Sequence, residues 1–209
     1  MELYSDQNGF NNAAALLADT NSFKGIDIIR FGNSINEIME RKSLENISIL
    51  LQMEQCIQMF HQYYRYEKIE GMDRKSVDKI PERAFREAVA NALVHRMWDI
   101  PASIKISMYS DKIEISSPGG LPAGISEDEY LNGQISLLRN PIIGNVFFRL
   151  KYIEKFGTGI MRINYAYKDA LIKPDYHIFS NSIQIILPVI KSDYKLNETE
   201  KKLLNMLKI

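Results

Sequence analysis

The sequence contains a single cysteine, Cys56, among 209 residues, and this shortage excludes two kinds of architecture. One thiol cannot form an internal disulfide framework, and it cannot supply a multi-cysteine zinc site. The chain also has no run approaching the roughly 18 uncharged apolar residues of a membrane span. Its first residues, MELYSDQNGF, lack the basic-then-apolar order of a secretory signal. Together these absences predict a cytoplasmic protein in a reducing compartment.

The chain has no excess of charge of either sign. Its 26 basic and 26 acidic residues cancel, and the isoelectric point is about 6.8. A protein that binds nucleic acid usually has a basic excess or a basic face. The zero net charge therefore disfavours direct DNA binding by this part of the protein. The sequence also has no Gly-x-x-x-x-Gly-Lys-Ser/Thr loop, so the motor chemistry of a P-loop helicase is not expected.

The hydrophobic pattern alternates between the helical and strand periods, which predicts an α+β protein. Because the last strands can pair locally while helices gather in the middle of the chain, we expect a two-layer α/β sandwich. The predicted helices are 12–18, 47–66, 81–98, 126–132, 141–150 and 159–170. The predicted strands are 25–31, 103–109, 112–116, 176–180 and 182–187.

The helix that begins at Pro81, PERAFREAVANALVHRMW, is apolar on nearly every side and is therefore predicted to be buried. Glu87, Asn91 and His95 are spaced four residues apart and share one flank of it. A buried carboxylate and amide are costly without partners. Two interpretations are open: a core helix whose Glu87 pairs with a neighbouring arginine, or a ligand site with a bound metal ion.

Two glycine-rich segments are candidates for close contact with a ligand. The segment ISSPGGLPAG contains Gly119 and Gly120, and EKFGTGIMRI contains Gly157, Thr158 and Gly159 just before a predicted helix. Glycine lets a backbone approach a ligand closely, and the free N–H groups at a helix start attract anions. Each segment taken alone is equally typical of an ordinary turn.

The order of these features resembles the GHKL family of ATP-binding domains, which includes those of gyrase B, histidine kinases and MutL. The shared features are Glu-x-x-x-Asn on a helix, a strand that enters a Gly-rich turn, and Gly-x-Gly before a helix. The resemblance implies the GHKL (Bergerat) fold, with ATP and Mg²⁺ as cofactors. It implies that Glu87 is catalytic and orients the attacking water, that Asn91 binds the metal, and that Gly157, Thr158 and Gly159 wrap the phosphates.

Four longer strings are similar to the RecG-like C-terminal family of transcriptional regulators: REAVANALVHR, IEISSPGGLP, LLRNPIIGNVFFRL and IEKFGTGIMRI. In that family a Schlafen/AlbA-type domain usually comes first and a winged helix often follows. The implied division is a joining region at 1–75, the ATPase-like domain at 76–190 and the start of a further segment at 191–209. DNA contacts would then belong to flanking domains, and a homodimer is expected from the resemblance.

The sequence departs from the GHKL pattern where an aspartate recognises adenine, because that place falls on Ser116 or Ser117. The loss of one good hydrogen bond costs on the order of 1–3 kcal/mol, or roughly a tenfold to hundredfold loss in affinity. Ser116 with Gly119 and Gly120 would contact the nucleotide. His95 is a further candidate that could bond a phosphate or simply brace the loop. Arg139, within a predicted lid at 122–156, is a candidate phosphate contact and is equally typical of a helix-capping or surface residue.

Two functions from different classes follow. The first is a GHKL-like nucleotide-binding domain that regulates a transcription factor and is a slow Mg²⁺-dependent ATPase. The second is a degenerate, non-catalytic module for dimerisation or sensing in a DNA-binding regulator. Glu87, Asn91 and the glycine segments favour the first, and the missing adenine aspartate favours the second.

Overall fold

The computed structural model of the chain describes residues 3–133, 137–153 and 157–190. The helices are α1 (Asn12–Leu17), α2 (Ile49–Tyr64), α3 (Glu82–His95), α4 (Glu127–Leu131), α5 (Pro141–Arg149) and α6 (Gly159–Ala166). The strands are β1 (Tyr4–Ser5), β2 (Gly9–Phe10), β3 (Ile26–Phe31), β4 (Ile38–Leu44), β5 (Arg65–Glu70), β6 (Asp73–Asp78), β7 (Ile104–Met108), β8 (Lys112–Pro118), β9 (Asp175–Phe179) and β10 (Ser182–Pro188).

Six of these strands form one mixed sheet in the order β4-β3-β7-β8-β10-β9. Neighbouring strands are antiparallel except β3 and β7, which run parallel with Ile26 opposite Ile104. Parallel neighbours need a crossover connection, and α2, the β5–β6 hairpin and α3 all lie within this one. The crossover thereby brings α3 into contact with β8 and β10.

Buried apolar residues alternate with more exposed polar residues along the strands, so the sheet has one apolar face. Ile106, Ile115 and Leu187 are buried on that face, whereas the intervening Lys105 and Glu114 are exposed or half-buried. Helices therefore cover one side of the sheet, and the predicted α+β class with two layers is confirmed.

The helix α3 is the centre of the helical layer. It packs against α2, α5 and α6 as well as the sheet, and its Phe85 ring stacks on Phe60 of α2 with centroids 4.6 Å apart. Ala84, Val89 and Leu93 have no exposed surface. The prediction that this helix is apolar on nearly every side and buried is confirmed.

Strand β4 and the β5–β6 hairpin are absent from the predicted elements. The sequences of the hairpin strands, RYEKIE and DRKSVD, are polar at most positions, so they show no apolar alternation. The hairpin is nonetheless fully paired, with Gly71 at φ +65° in its turn. Pairing between exposed polar strands leaves almost no hydrophobic signal in a sequence.

The division at residue 75 passes through a shared core. Strands β3 and β4 precede it, yet β3 pairs with β7 after it, and α2 packs on α3 across it. Residues 1–75 therefore contribute strands and a helix to the same sheet and core as the residues that follow them. The segment 191–209 lies outside the described residues. Across the described ranges, every helix is too short or too polar to cross a bilayer.

Candidate functional site

A small cavity of about 60 Å³ lies beside the polar flank of α3. Glu87, Asn91 and His95 line it from that helix, and Gly157 and Gly159 line it from the start of α6. The remaining lining residues are Pro122, Ile125, Tyr130, Leu137, Leu138, Ile153 and Ile160. The structure thus brings together the helix residues and the second glycine segment that the sequence singled out.

The start of α6 lies directly against the carboxylate and amide of α3. A Cβ atom on Gly159 would be 2.5 Å from Nδ2 of Asn91 and 2.8 Å from Oε1 of Glu87. Both separations are shorter than real Cβ contacts, so only glycine fits this place without displacing a neighbour. Glu87 itself is only 6% exposed. The glycine at 159 therefore permits close approach of α6 to α3.

The turn around Gly157 and Thr158 leads into this contact. Gly157 has φ +64°, a left-handed conformation that favours glycine. Thr158 is the N-cap residue of α6, but its hydroxyl does not cap the helix. Instead Thr158 Oγ1 accepts a hydrogen bond of 3.1 Å from Nε of Arg162.

His95 is held neutral at the far end of the flank. Burial and the nearby Arg139 guanidinium lower the pKa of His95 to about 4. Arg139 donates hydrogen bonds of 2.7 Å to the backbone oxygens of both His95 and Gly120. The guanidinium of Arg139 therefore braces the end of α3 against the first glycine segment, a structural role beside the phosphate contact predicted for it.

The two serines of the predicted adenine position face opposite ways. Ser117 is 9% exposed, and its hydroxyl donates to the Ala92 backbone oxygen at 3.0 Å. Ser116 is one residue earlier and so lies on the open face of the sheet, opposite Lys105. Of the two, Ser117 therefore lines a small cavity with Asn91 and His95. Ser116, the residue predicted to contact the nucleotide, is not brought to the site.

Gly119 and Gly120 serve the turn after β8. Gly119 has φ +106°, and its N–H donates to the Asn181 oxygen at 2.8 Å. Gly119 lines the same small cavity as Ser117. A Cβ on Gly120 would collide with the backbone oxygen of Ser180. Gly120 is therefore required by packing against the β9–β10 turn, while Gly119 remains beside the site.

Part of the chain is similar to a known protein family. Residues 102–187 match the family described as "Putative ATP-dependent DNA helicase recG C-terminal". These residues are similar to that ATPase-like family. The match contains the strings IEISSPGGLP, LLRNPIIGNVFFRL and IEKFGTGIMRI, and it begins after α3 has ended at His95. The predicted family is confirmed, with the Glu87 helix outside the matched residues.

A solved structure shares the fold of most of this chain. The crystal structure of the DIP2311 protein from Corynebacterium diphtheriae superposes with a TM-score of 0.78 at 24% identity. The similarity covers 90% of this chain and 39% of that one, so the chain spans about two fifths of that protein. No curated protein matches the sequence.

Tyr130 is a polar residue that lines the cavity and that the sequence analysis did not single out. It lies on α4, which begins with a capping box in which Ser126 and Glu129 bond each other's backbone N–H groups. Burial raises the pKa of Tyr130 to about 12. The capping box indicates a helix here in the sequence. Only tertiary packing places Tyr130 of that helix in the same cavities as His95 and Asn91.

The chemistry of the ATPase-like site suits Mg²⁺ and phosphate, but its volume does not suit a nucleotide in this conformation. A carboxylate, an amide oxygen and a glycine turn at a helix start are the groups that a metal and phosphates require. Small-molecule pockets usually enclose roughly 300–1,000 Å³, whereas this cavity encloses about 60 Å³. A nucleotide would need a larger space than this cavity encloses.

Proposed function

We propose that the chain is a nucleotide-binding regulatory domain of the GHKL type and a slow Mg²⁺-dependent ATPase. The observation that carries this proposal is the direct contact between the Glu87–Asn91 flank and the Gly157–Gly159 turn around one cavity.

Each group has a distinct role in this proposal. The Asn91 side-chain oxygen would bind Mg²⁺, and the Glu87 carboxylate would accept a hydrogen bond from the water that attacks the terminal phosphate. Backbone N–H groups between Gly157 and Gly159 would receive the phosphate oxygens. The metal, when bound, neutralises charge on the phosphates. His95, which is neutral at pH 7, adds a hydrogen-bonding group without repelling the metal.

The small cavity makes nucleotide binding depend on movement. Separation of α6 from α3 would expose Glu87 and Asn91, and nucleotide would hold the two helices apart. A ligand that binds only the open conformation shifts the population towards it. This coupling is the property that a regulatory domain needs, and it favours slow turnover because opening precedes binding.

A degenerate, non-catalytic module is the second candidate, and Ser117 supports it. Its hydroxyl already donates to the Ala92 oxygen, so it is engaged within the protein where GHKL domains present a carboxylate to adenine. In this alternative the closed cavity is the functional state, and the domain contributes dimerisation or sensing.

The wider role follows the family resemblance. We propose that the domain serves a transcriptional regulator, forms a homodimer, and acts on DNA through neighbouring domains. The longer length of the similar structure, of which this chain covers 39%, is compatible with such neighbours.

Thermal unfolding with and without Mg²⁺–ATP tests the first proposal. A ligand at 100 times its Kd stabilises the folded state by about 2.7 kcal/mol, which for a chain of this size is a shift of roughly 5–10 °C in Tm. We expect Asn91→Ala to abolish the Mg²⁺-dependent shift. We expect Glu87→Ala to retain the shift and to lose phosphate release in a turnover assay.

The matched control is Asn33→Ala, which removes the same amide from an exposed loop and should leave the shift unchanged. ADP and GTP establish which base and which phosphates are recognised. Absence of any shift at millimolar nucleotide would reject the nucleotide site and favour the non-catalytic module.

A further inference from the structure

The sheet has a free edge at β4 (Ile38–Leu44). Among the described residues, β4 is the outermost strand on its side and pairs with β3 alone. An edge strand presents unpaired backbone N–H and C=O groups to any strand that comes beside it. Two apolar side chains at the start of β4 are also exposed, Ile38 by 58% and Met39 by 59%. This free edge is therefore a candidate surface for another strand.

The pairing of β3 decides which backbone groups of β4 point outwards. Gly25, just before β3, accepts a hydrogen bond of 2.9 Å from the N–H of Ile104, so its backbone groups point towards β7. Successive residues of a strand point their backbone groups to alternate neighbours, so those of Ile29 also point towards β7. Arg41 of β4 lies opposite Ile29. The N–H and C=O groups of Arg41 are therefore not used by β3 and point away from the sheet.

Three consecutive charged residues, Glu40, Arg41 and Lys42, lie along the free edge. Charges on an edge strand commonly keep other strands away, but these charges are complementary to their own reversed order. When two copies of β4 pair antiparallel about Arg41, Glu40 of each copy lies directly opposite Lys42 of the other. Each cross-strand pair of opposite charge stabilises a sheet. The Tyr63 hydroxyl, an uncharged donor, bonds Glu40, so the carboxylate keeps its charge for this pairing.

The remaining contacts of this arrangement oppose it less than the charge pairs favour it. The two Arg41 side chains would lie opposite each other on the open face of the sheet. Arg41 is exposed, so water screens this single like-charge contact, whereas the Glu40–Lys42 contact occurs twice. The same register places Ile38 and Met39 beside the far end of the other β4, which would cover part of their exposed apolar surface.

We propose that β4 pairs antiparallel with β4 of a second copy of this chain, about a two-fold axis at Arg41, so that the two sheets become one. The opposite edge, β9, has no such complementarity, because a two-fold pairing about His177 places Asp175 opposite Phe179. The proposal rests on the homodimer proposed above and specifies its surface. It does not require nucleotide, because no residue of β4 lines either cavity of the candidate site.

Sedimentation velocity of the full chain over a series of concentrations, without nucleotide, tests the proposal. We expect a reversible equilibrium between monomer and dimer. Glu40→Lys and Lys42→Glu each replace two attractive contacts with two repulsive ones, so each should weaken the dimer by about tenfold to hundredfold in Kd. An equimolar mixture of the two variants should dimerise as tightly as the unmodified chain, because every contact in the mixed dimer again joins opposite charges. That recovery would also show that both variants are folded.

Arg41→Pro tests the backbone pairing separately from the charges. It removes an N–H group that β3 does not use, and proline is tolerated at such places in edge strands, so the monomer should fold and the dimer should dissociate. The matched control, Arg41→Thr, removes the same side chain but keeps the N–H group and should dimerise at least as tightly as the unmodified chain. Lys105→Glu, an exposed charge reversal two strands from the free edge, should leave the Kd unchanged.

Three outcomes would overturn the proposal. A mixture of Glu40→Lys and Lys42→Glu chains that stays monomeric would exclude this register. A dimer that neither charge variant nor Arg41→Pro weakens would use another surface, and the homodimer would stand without this interface. A monomer at every soluble concentration would reject the homodimer as well and leave the free edge to a strand of a different protein. None of these outcomes changes the nucleotide proposal, which the Tm response to Mg²⁺–ATP tests.

Discussion

Single side chains join the two halves of this fold, and Arg96 is the clearest example. It is 1% exposed, although it is a cation. Its guanidinium donates to the Lys24 oxygen at 2.7 Å and the Ala102 oxygen at 2.6 Å, and it stacks on Trp98 at 4.1 Å. Burial lowers the pKa of Arg96 to about 10, so the side chain stays charged at neutral pH. One residue thereby ties the entry to β3 to the entry to β7.

We expect Arg96→Ala to destabilise the protein by about 3 kcal/mol, because the Lys24 and Ala102 carbonyl groups lose a charged donor and a void forms beside Trp98. For a chain of this length the corresponding decrease in Tm is about 6–12 °C. Differential scanning calorimetry measures it. Arg41→Ala, on the exposed strand β4, is the control and should change the Tm by about 2 °C or less.

His95 makes stability depend on pH. Its ordinary pKa is 6.5, and the folded value is about 4. The unfolded chain thus binds a proton near pH 6.5, whereas the folded protein binds it only near pH 4. Protons therefore favour unfolding between these values, and stability present above pH 6.5 is lost as the pH falls to 4. The shift corresponds to about 3 kcal/mol.

The measurement is Tm against pH from 4 to 7.5 for the unmodified chain and for His95→Asn. The contributions of carboxyl groups to the pH dependence of the Tm are the same in both proteins and cancel in the comparison. We expect a flatter profile for the variant between pH 4 and 6.5. Parallel profiles would show that His95 takes up its proton equally in the folded and unfolded states.

At the scale of elements, the approach of α6 to α3 controls the candidate nucleotide site. At Gly159 the two helices lie so close together that the space between them is too small for a methyl group. The neighbouring atoms that a Cβ would meet are the ends of the Asn91 and Glu87 side chains. The ends of these side chains can rotate to make room for a Cβ atom, so the helix backbones need not move. A substitution here should therefore disturb the chemistry of the site more than the fold.

We expect Gly159→Ala to change the Tm without ligand by about 3 °C or less, since better helix propensity offsets the crowding. The same variant should show a larger Tm increase at subsaturating Mg²⁺–ATP, because a Cβ at position 159 disfavours the closed contact between α6 and α3 that the nucleotide must open. Thermal unfolding in parallel with and without nucleotide provides both values. Loss of the nucleotide response in the variant would mean that α6 stays against α3 when nucleotide binds, which contradicts the proposed opening.

At the scale of the whole molecule, one sheet unites regions that are distant in sequence. The parallel pairing of β3 with β7 places Ile28 beside Ile106 at the centre of the core. On the helical side, Phe60 of α2 covers Phe85 of α3. Without residues 1–75, the edge of β7 and the ring of Phe85 would both face water.

A fragment of residues 76–209 should therefore lack a cooperative thermal transition and should bind the dye ANS, which reports exposed apolar surface. Circular dichroism and ANS fluorescence, with the full chain as the control, provide the comparison. A sharp transition in the fragment within about 10 °C of the full chain would show that residues 76–190 fold independently of β3 and α2.

The candidate site was only partly predictable for a geometric reason. Glu87, Asn91 and His95 repeat at the helical period, so the sequence alone places them on one flank. The choice between Ser116 and Ser117 depends on strand register, because a shift of one residue reverses the face. The free edge at β4 likewise depends on which strands pair, and no spacing in the sequence indicates that β4 is the outermost strand.

The sequence by itself determined the helices and the strands with an apolar pattern, the α+β class, the buried character of α3 and the family of residues 102–187. These properties depend on periodicity and on short strings, which neighbouring residues carry. The tertiary structure alone decided that β3 lies beside β7, that Gly159 closes the cavity over Asn91, and that β4 lies at the free edge of the sheet. Such contacts join residues far apart in the chain, and the free energy that selects them arises from burial and packing of the whole molecule.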